Sequence, residues 1–115
     1  MVKPTSYICC KTLENLHDAT DSIFYEILAI YIKDADNMIN AMMEEFKKDN
    51  TAEILRLAHT LKGSSQNVGA IRTAELCASL ENFTSNTSSN MEIHIKLIRT
   101  SYSKSLPLLK EYLKG

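Results

Sequence analysis

A chain of 115 residues suits one domain built around one hydrophobic core, residues 1–115 with an N-terminal segment before a bundle at 20–115, and leaves no room for a second. Its 44% hydrophobic and 23% charged residues are ordinary for a globular protein, and a formal net charge of -1 excludes bulk attraction to nucleic acid or to anionic membranes. No apolar stretch approaches the ~20 residues a membrane helix needs, and MVKPTSYICC lacks the apolar centre of a secretory signal, so the cytoplasm is the expected location.

Three glycines, two prolines and no sustained apolar/polar alternation predict helix nearly throughout. Near the N-terminus, residues 12–17 predict a short helix whose Leu13 and Leu16 cover one end of the molecule. Cys9, Cys10 and Cys77 lack metal-site spacing, and adjacent cysteines bridge each other only with strain. Cys77 falls on an apolar face and reads as a small core residue.

A first long helix is predicted from about residue 21 to 48, with Phe24, Ile27 or Leu28, Tyr31, Ala35, Met38, Met42 and Phe46 at three- and four-residue steps. Asn50 and Glu53 have capping-box spacing and open the next helix, which places Ile54, Ala58, Leu61, Ser65 and Val68 on one face. Gly69 permits the turn that ends it. A third helix follows at once with Ile71, Ala74, Cys77, Leu80 and Phe83 inward, and so short a connection makes the two helices antiparallel neighbours.

The polar run 84–90 is predicted as a loop, and the sequons at Asn82 and Asn86 within or beside it read more simply as part of a polar connection. Ser89 and Glu92 again have capping-box spacing, opening a fourth helix with Met91, Ile95, Ile98, Tyr102, Leu106, Leu109 and Leu113 as its stripe. Pro107 predicts a kink near Ser103 or a break between Ser105 and Pro107. The expected fold is all-α, an antiparallel up-down four-helix bundle with a short additional N-terminal helix.

His17 and His94 stand alone and read as surface or edge residues. His59 sits in Ala58-His59-Thr60-Leu61-Lys62-Gly63-Ser64-Ser65, and on a helix Lys62, Gly63 and Gln66 share its face, opposite the apolar stripe. A glycine inside a helix costs about 1 kcal/mol relative to alanine, so Gly63 points to a clearance kept open for something large. Lys62 is expected to bring a mobile positive charge to that space, suited to phosphoryl oxygens. An imidazole attacks phosphorus through Nε2 when another group takes the proton on Nδ1.

That stretch, followed by Gly69-Ala70, resembles the signature of histidine phosphotransfer (HPt) domains, and the resemblance spans nearly the whole chain. It implies a bundle with His59 as the phosphoacceptor, exposed mid-helix and phosphorylated at Nε2, with Lys62 and Gly63 at the family's offsets. It implies that Glu81, on the next helix, orients the imidazole; Gln66 is a weaker candidate. The implied role is a phosphocarrier of two-component phosphorelays, without autokinase or ATPase activity, since no glycine-rich nucleotide loop is present.

The implied partners are receiver domains of response regulators or a hybrid sensor histidine kinase, docking around His59 on the first two long helices with help from Leu55. No cofactor is expected in this chain, the divalent metal belonging to the receiver, and a monomer is the simpler expectation. The leading rival is a non-phosphorylated helical adaptor that binds signalling partners. A metal-dependent enzyme has less support, because no second histidine or carboxylate cluster stands at ligand spacing from His59.

Overall fold

The computed structural model describes residues 7–82 and 88–113. Among them are α1 (Cys10–Thr20), a 3-10 turn (Asp21–Ile23), α2 (Phe24–Lys47), α3 (Thr51–Asn67), α4 (Ile71–Asn82) and α5 (Ser88–Leu113), with no strand. Helix α2 packs on α3 and α5, α3 packs on α4, and α4 packs on α5, so the four long helices close an antiparallel ring around one core. Helix α1 is longer than the predicted 12–17, and its Leu13 is fully buried while Leu16 is half-buried.

Apolar periodicity explains the ring. Phe24, Leu28, Tyr31, Ala35, Ile39 and Met42 of α2 are buried, as are Ile54, Leu57, Ala58, Leu61 and Ser65 of α3. Met38 and Phe46 are only half-buried, and Ile39 takes the central place predicted for Met38. Each choice keeps three- and four-residue steps, which is why the pattern did not separate them. In α5, Met91, Ile95, Ile98, Tyr102 and Leu109 are buried, while Leu106 and Leu113 are half-buried.

Polar side chains sealed in the core pin three seams of the ring. Tyr31 OH and Ser65 Oγ are 2.8 Å apart between α2 and α3; Thr73 Oγ1 and Ser101 Oγ are 3.1 Å apart between α4 and α5. Tyr102 donates to the Ile32 carbonyl at 2.8 Å between α5 and α2. Such paired groups favour one helix register, because sliding a helix would leave each of them buried and unbonded.

The α2–α3 and α3–α4 corners end their first helix in the same way. After α2, Asp49 adopts φ 56°, with Asp49 N bonded to Phe46 O and Asn50 N to Glu45 O. After α3, Gly69 adopts φ +77°, with Gly69 N bonded to Gln66 O and Ala70 N to Ser65 O. Both corners satisfy orphan carbonyls with a left-handed residue just past the helix. Gly69 also lies against the N-terminal segment: its carbonyl accepts from Cys9 N at 2.7 Å, and a Cβ there would sit 2.8 Å from the Cys9 carbonyl oxygen. Gly69→Ala is therefore expected to lower stability by at least about 1 kcal/mol, a thermal melt shifted down by several degrees.

Asn50 does accept from Glu53 N, at 3.4 Å, but Glu53 turns forward to pair with Arg56 instead of reaching back, since Asn50 N already bonds to Glu45 O. Ile71 is exposed at the first position of α4, and Thr73, hydrogen-bonded to Ser101, goes inward in its place. Helix α5 already includes Ser89 and Asn90, so Ser89 is not its cap and the connection is shorter than 84–90. Phe83 and residues 84–87 lie outside the described residues.

Pro107 does not break α5, which runs through it to Leu113. Ser103, whose carbonyl loses its usual donor, lies on the exposed side with Pro107, where solvent has access and no orphan group is buried.

Candidate functional site

His59 is built outward by the same periodicity that buries its neighbours. Ala58 and Leu61 are fully buried on α3, and the residue between Leu57 and Thr60 that points away from them is His59, whose side chain is 69% exposed. Its Nδ1 lies 2.8 Å from Glu81 Oε2 on α4. The other oxygen, Glu81 Oε1, is buried and lies 2.8 Å from the Lys62 ammonium, as an ion pair without the alignment of a hydrogen bond. Lys62, Glu81 and His59 thus form one cluster across the α3–α4 seam.

Lys62 is not the free cation expected from sequence. Its side chain is only 26% exposed, because one helical turn from His59 it finds a carboxylate within reach on α4. Glu81, 22% exposed, is held below the usual carboxylate range mainly by the Lys62 ammonium, with the His59 ring adding to it and partial burial opposing.

An ionised carboxylate only accepts hydrogen bonds, so the Nδ1 it meets must carry the proton. The lone pair of the neutral imidazole is then on Nε2, on the far side of the ring. The chemistry available is that of an oriented, solvent-facing nitrogen nucleophile whose ring can become cationic beside a fixed negative charge.

A carboxyl depressed in the folded state contributes stability above its ordinary pKa, about 4.3, and that contribution is lost as pH falls through the folded value. Melting curves are expected to show the wild type ahead of Glu81→Gln near neutrality, and the gap closing below about pH 4.

Gly63 lies on the same face as His59, and a Cβ added there would meet nothing within 4 Å. Gln66 is exposed farther along this face and lines a shallow groove with Ile71, Ala74, Glu75 and Ala78, outside the His59–Glu81–Lys62 cluster. Leu55 is half-buried against the core. Sequence reasoning missed a second groove, between α2 and α3, lined by Ile27, Ile30, Asp34, Ser64 and Asn67. The signal for it was Ile30, which breaks the polar outer face of α2 and is 59% exposed.

The remaining candidates stay apart from the cluster. His17 packs at a tilt against Phe24, with ring centroids 4.6 Å apart, and His94 Nδ1 is 2.8 Å from the Asn90 carbonyl. Cys77 is buried one turn before Glu81, and burial pushes its thiol up to about 12. Cys9 and Cys10 are half-buried.

The Hpt domain family model matches residues 26–114. This chain belongs to the Hpt domain family. The Hpt assignment places it among the proteins of histidine phosphotransfer in phosphorelays, which are phosphocarriers rather than kinases or ATPases.

Solved Hpt structures share the fold. Histidine-containing phosphotransfer protein B (HptB) from Pseudomonas aeruginosa PAO1 is 18% identical, with a TM-score of 0.82 over 94% of this chain and 95% of that one. A rice protein assigned as a histidine-containing phosphotransfer protein is 19% identical, with a TM-score of 0.79 over 95% of this chain and 85% of the other. No curated protein matches the chain by sequence. Among the described residues, no helix is long and apolar enough to cross a membrane.

Proposed function

We propose that this Hpt domain accepts a phosphoryl group on His59 Nε2 from the aspartyl phosphate of a receiver domain and passes it to the aspartate of another. One observation carries the reading: His59 is largely exposed while its Nδ1 is occupied by Glu81, which leaves Nε2 as the reactive, outward nitrogen. In the forward step the Nε2 lone pair forms the N–P bond as the P–O bond to the aspartyl carboxylate breaks. That carboxylate departs with the electron pair. The ring keeps its Nδ1 proton, and the positive charge it gains is matched by Glu81.

Phosphoryl transfer of this kind needs alignment and charge stabilisation more than covalent assistance. Gly63 supplies the clearance in which the partner's reacting edge approaches, and Lys62, paired with Glu81 one turn from His59, is the cation of the site that would help neutralise phosphoryl oxygens. The divalent ion belongs to the receiver's half of the site. Docking on α2 and α3 is supported by the apolar groove at Ile27 and Ile30, which offers a partner an anchoring surface on the helix pair that carries His59. The domain works as a cytoplasmic monomer.

Incubation with a phosphorylated receiver domain tests the proposal. The expected product is a phosphate on this chain that is labile in acid and stable in base. A complex with the receiver that forms without any phosphate appearing would instead favour the adaptor reading.

A further inference from the structure

We propose that the cleft between α4 and α5 is a second interaction surface, which takes an apolar segment of a partner protein flanked by carboxylates. It lies on the side of α4 turned away from His59: Glu81 reaches toward α3, whereas Leu76 lines the cleft. Tyr7, Arg72, Leu76, Leu97, Thr100 and Ser101 enclose about 330 Å³. Leu97 is 46% exposed, and Ile93, one turn earlier, is 53% exposed, so an apolar strip extends from the cleft along α5. Tyr7 precedes the span matched by the Hpt model, 26–114, so one wall of the cleft lies outside the part of the chain that the family model describes.

Charge selects the occupant. Arg72 is the one charged residue lining the cleft, and it makes no ion pair among the described residues. Glu75, one turn on, lines the groove on the α3 side of α4 instead. As the second residue of α4, Arg72 also stands where the helix end is already positive, a poor place for a cation that meets no anion. Lys104, one turn past Thr100, is exposed on the same face of α5 and likewise unpaired among the described residues.

An apolar side chain between Leu76 and Leu97, with a carboxylate on the Arg72 guanidinium, answers both features. A second copy presenting the same cleft brings no carboxylate to Arg72, and residues 1–6 of the chain hold Lys3 and no acid. A flat lipid surface does not fill a concave cleft. The partner so bound tethers the domain while His59, on the other seam, stays open to a receiver. The inference stands whether or not His59 takes phosphate.

Amide NMR titration of the full chain with an end-blocked peptide of alternating leucine and aspartate tests it, with no phosphoryl donor present. The amides of Arg72, Leu76, Leu97 and Thr100 are expected to shift saturably, and those around His59 to stay in place. The same peptide with lysine for aspartate should bind about fivefold more weakly, the upper range for an exposed charge pair. Arg72→Glu, which suits the start of a helix, should remove that preference. If this variant does not give a native amide spectrum, Thr100→Asp at an exposed position takes its place, with the same expected loss.

Absence of shifts at the four amides, or shifts confined to another face, would overturn the proposal. So would an unchanged charge preference in the variant, or a response of these amides to phosphatidylglycerol vesicles and not to the peptide.

Discussion

His59→Gln is expected to fold like the parent and to take up no acid-labile phosphate from a phosphorylated receiver domain. The loss should be complete, because the substitution removes the only nucleophile in the cluster while Lys62 and Glu81 remain to hold charge but cannot form the N–P bond. Stability should change by no more than about 1 kcal/mol, since the side chain is largely exposed and its one described polar partner, Glu81, keeps its ion pair with Lys62. Gel assays of phosphate transfer and a thermal melt check the two halves together. Persistent phosphorylation of the variant would move the acceptor elsewhere.

Gly63→Leu gives the second large effect, and its sign is opposite for stability and for transfer. Nothing lies within 4 Å of the added Cβ, so the branch point enters open space and the helix loses an unfavourable glycine, a gain of about 0.5–1 kcal/mol. The same side chain fills the clearance beside His59, and a displacement of about 1 Å between reacting atoms costs on the order of 10²-fold in rate. Transfer from the receiver is expected to fall by about that factor, while phosphorylation by a small phosphoramidate donor falls much less. Receiver transfer at the wild-type rate would show that the partner does not approach over Gly63.

The helices and the outward face of His59 were legible because both follow from 3.6-residue periodicity, which buries Ala58 and Leu61 and so expels the residue between them. The turn at Gly69 was legible because a left-handed backbone selects glycine. What was hidden depended on neighbours in space. Ile39 and Met38 fit one stripe equally well, and only the packing of α5 and α3 chose between them. Thr73 carries no apolar signal of its own, and its inward place depends on the hydrogen bond that Ser101 supplies from α5.

Lys62 shows the same limit within the site. Local sequence places an ammonium on the His59 face, but not the carboxylate that captures it, because Glu81 is brought there by the α3–α4 turn. Pro107 carried a true local rule, and tolerance of the missing bond came from its position on the exposed side of α5.

The most direct measurement is a phosphorus-31 NMR spectrum of the protein after phosphorylation, with nitrogen-15 in the histidine ring. Phosphorus bonded to Nε2 of His59, with the proton still on Nδ1, is the predicted result. A phosphorus–nitrogen bond at Nδ1, or phosphate on any other residue, would contradict the assignment of Glu81 as the group that reserves Nε2 for transfer.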